Sequence, residues 1–453
     1  MHGETPPQGP GLRHPWAYTD RFVPRTVIRP LQAFLQTAIA SSLLLLAAVV
    51  VAVVWANSPW KDVYHHLLET EVGLGVGSWR LSGSVHFWIN EGLMTLFFLV
   101  VGLEIKRELT VGELRRWRAA LLPVVAAIGG MTVPALLYLA VAGGGPGAGG
   151  WGVPMATDIA FALGALTLAA AYAPANLKPL LLTLAIVDDI GAIVVIAVFY
   201  AGGVNWLPLE EAVALVAVIL VMRSMHIRWM PVYAALGMLL WYFTLRSGVH
   251  PTVAGVVMGL LTPAVAFQRP AAVSDEARRI ADETVDQPQP PDADAPAWFR
   301  LAWLSREVVP PLTRVEHALL PWTSFVIVPL FALANAGVRL SGPTISAALG
   351  STVTLGIVLG LVVGKPVGVL LASGLTVRAG AAELPGDVGW GDLTGMGATA
   401  GVGFTMSLFI AELAFEDPAL LGEAKIAIFG ASILAGIIGY LILRISPSPR
   451  NLA

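Results

Sequence analysis

The stretch Pro179-Leu-Leu-Leu-Thr-Leu-Ala-Ile-Val-Asp188-Asp189-Ile-Gly-Ala-Ile-Val-Val-Ile-Ala-Val-Phe-Tyr-Ala-Gly202 decides what kind of protein this is. It is long enough to cross a hydrocarbon layer, which takes roughly 20 apolar residues as a helix. Two adjacent carboxylates sit at its middle with apolar residues on both sides. A charge at the bilayer centre costs on the order of 3 kcal/mol on insertion scales, so an acid placed there is a functional candidate by default. Neighbours on a helix point about 100° apart, so Asp188 and Asp189 cannot face one partner equally. One can ligate an ion while the other pairs with a cation.

Eleven further apolar runs flank this one: Phe34 to Asn57, His86 to Ile105, Ala119 to Gly143, Val153 to Tyr172, Leu207 to Met222, Met230 to Leu245, Val249 to Ala264, Leu320 to Val338, Leu349 to Gly374, Leu393 to Ala414 and Leu421 to Leu443. The fold expected is an all-α polytopic membrane protein of about twelve transmembrane helices. The first run is too long to be the ~7 to 15-residue core of a signal peptide, and it starts too far into the chain. Composition agrees: of 453 residues 56% are hydrophobic and 13% charged, against roughly 45 to 50% and about 25% in soluble domains. The absence of cysteine excludes a disulfide framework, a thiolate metal site and cysteine catalysis. A net charge of -3 provides no basic field for nucleic acid.

Lys and Arg accumulate in cytoplasmic loops, so their distribution sets orientation. With both termini inside, 21 of the 27 lie on the cytoplasmic face, 5 lie outside (Lys61, Arg80, Arg246, Arg339 and Lys425), and Lys365 falls within a span. The layout expected is a cytoplasmic tail over 1–33, spans one to eight over 34–264, an acidic, proline-rich cytoplasmic loop over 265–315, spans nine to twelve over 316–444 and a cytoplasmic tail over 445–453. Asp275, Glu276, Asp282, Glu283, Asp286, Asp292 and Asp294 stand in that loop among Pro288, Pro290, Pro291 and Pro296, a composition that reads as disordered. Between spans one and two, Val72, Leu74 and Val76 alternate with glycines before Ser78-Trp79-Arg80-Leu81, which predicts a short external β-hairpin.

Besides the Asp pair, Glu91, Asp158 and Lys365 stand inside apolar runs. Lys365, in Leu361-Val-Val-Gly-Lys-Pro, is not a phosphate-binding lysine, because Gly360 is one residue too close and Pro366 replaces the hydroxyl. It is the natural cation for one of the two aspartates. Burial and a nearby cation act oppositely on the proton affinity of an acid. Their balance lets protons and a hard cation such as Na⁺ compete for the same oxygens. Asp158 lies four residues after Pro154 and beside Thr157, and Gly395, Gly397, Gly401 and Gly403 crowd span eleven. Proline and clustered glycine in two separated spans predict interrupted helices, which expose carbonyls and half-helix ends. Spans three to five and ten to twelve match as inverted-topology repeats, the middle member of each trio being the interrupted one.

These residues resemble the NhaA family of bacterial Na⁺/H⁺ antiporters from about residue 31 to 444. The resemblance rests on Trp88-Ile-Asn-Glu-Gly-Leu-Met, Gly102-Leu-Glu-Ile-Lys-Arg-Glu-Leu, Ala156-Thr-Asp-Ile-Ala-Phe-Ala-Leu-Gly, Ile186-Val-Asp-Asp-Ile-Gly-Ala-Ile, Ser247-Gly-Val-His, Pro329-Leu-Phe-Ala-Leu-Ala-Asn-Ala-Gly, Gly364-Lys-Pro and Gly403-Phe-Thr-Met-Ser. It implies an electrogenic, pH-regulated antiporter of the bacterial inner membrane, not an enzyme, that exchanges cytoplasmic Na⁺ or Li⁺ for external protons without a cofactor and maintains internal pH and sodium. Asp189 would be the main Na⁺ ligand and Asp188 its partner, paired with Lys365 in one state. Asp158 would balance the half-helix ends where spans four and eleven cross, with Thr157 beside the ion path. Glu104, Arg107 and Glu316 match a cytoplasmic pH-sensing cluster, with His250 and His317 as further contributors, and the hairpin of about 71–82 matches a homodimer contact. Glu91 and Leu320 depart from the pattern, standing where an Asp and a further histidine are expected.

Two other classes fit less well. An intramembrane aspartyl protease needs two carboxylates facing each other across a site, which adjacent residues cannot provide. A passive cation channel also lines its path with carboxylates and carbonyls, but it would repeat its filter around an axis, and the buried acids here are single and asymmetric.

Overall fold

The computed structural model describes residues 38–76, 79–169, 172–227, 229–285 and 295–446. The expected N-terminal tail, the first residues of the first span (34–37), the tip of the hairpin (77–78), Arg228, the acidic run 286–294 and the C-terminal residues 447–453 lie outside the described residues. Helices α1 (Ala38–Ala56) and α2 (Lys61–Glu69) lead into β1 (Glu71–Val76) and β2 (Trp79–Ser84). There follow α3 (Val85–Thr110), α4 (Trp117–Ala142), a 3₁₀ segment (Pro146–Met155), α5 (Ile159–Leu168), α6 (Leu177–Phe199), α7 (Trp206–Ser224), α8 (Met230–Arg246) and α9 (Thr252–Leu261). The chain continues through α10 (Pro270–Val285), α11 (Ala295–Val308), α12 (Pro311–Asn335), α13 (Gly342–Gly350), α14 (Thr352–Arg378), α15 (Trp390–Ala400), α16 (Phe404–Ala414) and α17 (Pro418–Ile445).

Several helices start where the sequence supplies a cap: Ser84 Oγ accepts from Phe87 N at 3.0 Å, Asp158 Oδ1 from Phe161 N at 3.1 Å, and Asp417 Oδ1 from Ala419 N at 2.9 Å. The long helices α6 and α17 expose apolar side chains as well as burying them. Val194 and Val198 of α6 and Ile433, Leu434 and Ile437 of α17 are exposed, as lipid-facing side chains are and as the outer stripe of a soluble helix is not. Among the described residues, six helices (α3, α4, α6, α12, α14 and α17) are long and apolar enough to cross a membrane, and nine if each bent pair forms one span. Those pairs are α1 with α2, bent by 112°, the 3₁₀ segment with α5, bent by 49°, and α15 with α16, bent by 46°. The expected spans at α7, α8 and α9 do not meet the same measure. Glu210, Glu211 and Arg223 stand in α7, α8 has 17 residues and α9 has 10.

The chain divides into two compact units. One takes in the described residues up to Ile89, those from Arg118 to Tyr200 and those from Ser324 on; the other takes in Asn90–Trp117 and Ala201–Thr323. The helices that run from one unit into the other, α3 and α12, each carry a π-helical turn at that place, Trp88–Leu93 and Thr323–Ile327. In the first unit, Leu122, Leu166, Leu181, Val369, Met396 and Leu443 form the core. Gly368 of α14 meets α4 so closely that a Cβ there would fall 2.7 Å from the carbonyl carbon of Gly129. β1 and β2 pair antiparallel in the register Glu71 with Ser84 through Val76 with Trp79, the hairpin that the alternation predicts. In the second unit α3 and α9 approach backbone to backbone, a Cβ on Gly259 falling 2.6 Å from the carbonyl carbon of Gly102.

The described residues of 266–312 differ from the disordered loop expected, for Pro270–Val285 and Ala295–Val308 are the helices α10 and α11, packed on each other. The composition hid a helical period. Val273 and Ile280 are buried while Asp275, Asp282 and Glu283 fall on the outer face. Arg279 donates to both oxygens of Glu276 at 3.0 and 2.7 Å, and Arg300 of α11 stands 3.3 Å from it. The bond from Arg279 holds that carboxyl below its usual range.

Candidate functional site

The first unit brings Asp188, Lys365, Thr157 and Asp158 to one place by setting two helix breaks against each other. The first break, residues 156–158, follows the 3₁₀ segment that contains Pro154; the second, residues 401–403, separates α15 from α16 at Gly401 and Gly403. Asp158 N donates to Val402 O at 2.7 Å, so backbone freed by one break is satisfied by the other. The carboxylate of Asp158, 3% exposed, then serves two helix starts at once. Oδ1 accepts from Phe161 N of α5, and Oδ2 accepts from Thr405 N of α16 at 3.0 Å and from Thr405 Oγ1 at 2.5 Å. Helix N-termini carry partial positive charge, and one carboxyl group faces two of them.

Cationic and donor groups meet the opposite ends. Lys365 Nζ donates to Met155 O, the last residue of the 3₁₀ segment, and to Asp188 Oδ2 at 2.6 Å. Thr157 Oγ1 lies 2.7 Å from the same Asp188 oxygen and 2.8 Å from Ala400 O, the last residue of α15. The hydroxyl has one proton and can give it to only one of the two acceptors at a time. Asp188, Thr157 and Lys365 are fully buried, and Asp188 Oδ1 has no hydrogen bond. Asp189, on the same turn of α6, is 3% exposed. A π-helical turn at Gly360–Gly364 precedes Lys365 in α14. The cluster therefore gathers carboxylate, hydroxyl and carbonyl oxygens around the ammonium group of Lys365.

The second unit holds the other candidates. Arg107 Nη1 of α3 donates to Glu316 Oε1 of α12 at 2.7 Å, with Glu104 one helical turn before Arg107 and only partly exposed. His317 is exposed. His250 is buried and its contacts place it on Glu91: Nε2 lies 3.4 Å from Glu91 Oε1, Nδ1 lies 2.8 Å from Thr252 Oγ1, and Trp241 Nε1 donates to Glu91 O at 2.8 Å.

A family model described as Na⁺/H⁺ antiporter 1 matches residues 32–443. The chain belongs to this family of Na⁺/H⁺ antiporters. Curated relatives agree along nearly the whole length. A Na⁺/H⁺ antiporter NhaA of Janthinobacterium sp. (strain Marseille) is 45% identical over 439 residues, 96% of each chain. Na⁺/H⁺ antiporter NhaA 2 of Sorangium cellulosum is 46% identical, covering 94% of this chain and 92% of its own. The NhaA of Oleidesulfovibrio alaskensis is also 46% identical, with 92% and 94% covered. Members of the antiporter family are transporters, not enzymes, and the apolar helices make this one a multi-pass bacterial membrane protein in contact with lipid.

Among the described residues, sequence reasoning passed over further acids held largely out of solvent in this antiporter. Glu412 of α16 pairs with Lys425 of α17 at 2.6 Å, both side chains nearly buried. Ile410-Ala-Glu-Leu-Ala places an acid among apolar residues, the same signal that singled out Glu91. Asp392 is fully buried and caps α15, Oδ2 accepting from Gly389 N at 2.9 Å. It stands immediately before the apolar run that begins at Leu393, where an acid carries no signal of burial.

Proposed function

We propose that this chain exchanges cytoplasmic Na⁺ or Li⁺ for external protons across the bacterial inner membrane, by competition of the two ions for Asp188 and Asp189. The observation that carries the reading is the buried Lys365 with Asp188 contact beside Asp189, set where two broken helices meet. In the resting arrangement Lys365 neutralises Asp188, and Asp189 holds a proton or a metal ion. Na⁺ arriving from one side takes oxygens of Asp189 and Asp188, with Thr157 Oγ1 as a further donor, and frees Lys365. A carboxylate must be deprotonated to ligate, so ion binding releases protons. Asp158 is a positioning residue that holds the half-helix ends in register. Movement of one bundle against the other then exposes the loaded site to the opposite face.

The same reading extends further. About twelve spans cross the membrane with both termini inside, spans three to five and ten to twelve forming inverted repeats interrupted at the two breaks. Glu104, Arg107 and Glu316 sense cytoplasmic pH, with His250 and His317 contributing, and the β1–β2 hairpin joins two copies. Exchange of more than one proton per Na⁺ makes transport electrogenic.

The test is dissipation of a preformed ΔpH in everted membrane vesicles from cells lacking other antiporters. NaCl or LiCl collapses the gradient with the wild-type chain and not with Asp189→Asn. Failure of either salt to collapse it across pH 6.5 to 8.5, with the protein folded and in the membrane, overturns the reading.

A further inference from the structure

The hairpin α10–α11 takes no part in ion exchange as derived above. Its neck is closed by backbone bonds: Phe267 N and Gln268 N, just before α10, both donate to Glu307 O of α11 at 3.2 Å, and Leu312 N of α12 donates to Pro263 O at 3.1 Å. Val308, the last residue of α11, stands three residues before Pro311, the first of α12. Three residues span at most about 10 Å, so the C-terminal end of α11 stays beside the start of α12.

The two sides of α11 differ. Trp298, Leu301 and Val308 line a cleft with Val273 and Ala277 of α10. Away from the cleft stand Phe299, Trp303 and Arg306, at i, i+4 and i+7 and hence on one side of the helix. Phe299 is 76% exposed, Trp303 55%, and Arg306 is exposed as well. The net charge of the two helices differs in sign: α10 carries Asp275, Glu276, Asp282 and Glu283 against Arg278 and Arg279, and α11 carries Arg300 and Arg306 against Glu307. The exposed acids Asp275, Asp282 and Glu283 are all on α10, whereas the one acid of α11, Glu307, is buried 3.6 Å from Arg314.

We propose that the Phe299, Trp303 and Arg306 face of α11 docks on the anionic surface of the leaflet that α12 enters. A short helix with aromatic residues and arginine on one face and its acids elsewhere lies in the plane of a membrane interface. Phe299 and Trp303 seat at the boundary of headgroup and acyl chain, and Arg306 meets lipid phosphate. The acids of α10 are repelled by the same surface, which fixes the side of the hairpin that turns toward lipid.

The chain has no cysteine, so single cysteines introduced into the full-length protein take an environment-sensitive fluorophore cleanly. Phe299→Cys, Trp303→Cys and, as the opposite face, Asp275→Cys are labelled and reconstituted in vesicles of phosphatidylcholine alone or with phosphatidylglycerol, with and without spin-labelled lipid as quencher. In the anionic vesicles the labels at 299 and 303 shift to the blue and lose about half their emission to the quencher, about two-fold more than in the neutral vesicles, and the label at 275 does neither. Arg306→Glu cuts the quenching at 299. Two results overturn the proposal: labels at 299 and 303 that stay in water at both compositions, or labels shielded from water yet not quenched by lipid, which would mean that protein covers the face. Backbone amide exchange of α11 in the unlabelled wild type gives a check free of substitutions, slower exchange in anionic vesicles being expected and equal rates contradicting it.

Discussion

Lys365 Nζ stands 2.6 Å from Asp188 Oδ2 with both side chains fully out of solvent. Removing one partner of a buried pair strands the other charge and costs about 3 to 5 kcal/mol, whereas removing both costs far less. Lys365→Met therefore destabilises the protein by about that amount, and Asp188→Asn in the same chain returns most of it. Thermal unfolding of the purified protein in detergent measures the cycle. Losses that simply add contradict the pairing.

Asp158 joins two helix starts through Thr405 and Phe161. Hydrogen bonds to a charged group each contribute about 1.5 to 3 kcal/mol, so Asp158→Ala lowers stability more than Thr405→Val, which keeps the backbone donor and loses only the hydroxyl. Unfolding midpoints that rank the two the other way would show that the half-helix ends do not depend on this carboxylate.

Arg107 and Glu316 form an ion pair 2.7 Å long in the second unit, away from the Asp188 cluster in sequence and in partners. If they set the working pH, Glu316→Gln moves the midpoint of the ΔpH-dissipation profile by about half a pH unit or more and leaves the maximal rate near wild type. A fall in rate at every pH with an unmoved midpoint assigns them to the fold instead.

Asp188 and Lys365 are 177 positions apart, and the sequence singled out both by the cost of charge in lipid alone. The two bends, of 49° and 46°, fall beside local sequence marks, Pro154 ahead of one and Gly401 with Gly403 in the other. That Asp158 lies between the two segments came from the family resemblance alone, because a contact between residues 247 positions apart leaves no mark on the local sequence of either. The α10–α11 hairpin was hidden by composition, its acids and prolines masking Val273, Ala277 and Ile280 at helical spacing. Span counting met its limit at α7 to α9, where short length and the charges Glu210 and Glu211 weaken the only signal that hydropathy reads.

Val72 and Ser82 are exposed on the β1–β2 hairpin. A two-fold contact brings the same surface of both copies together, so Val72→Cys or Ser82→Cys in this cysteine-free chain yields a crosslinked dimer in native membranes with a short bifunctional thiol reagent. Monomer alone at both positions, with labelling proven, removes the hairpin from the dimer contact.

Competition of Na⁺ and protons for one carboxylate pair is open to a direct reading. Purified protein in weakly buffered detergent solution is titrated with NaCl near neutral pH while the pH is recorded. The wild-type chain acidifies the solution on Na⁺ or Li⁺ addition, choline chloride does not, and Asp189→Asn abolishes the release. Wild-type protein that binds Na⁺ without releasing protons, or an Asp189→Asn variant that releases as many, contradicts exchange at this site.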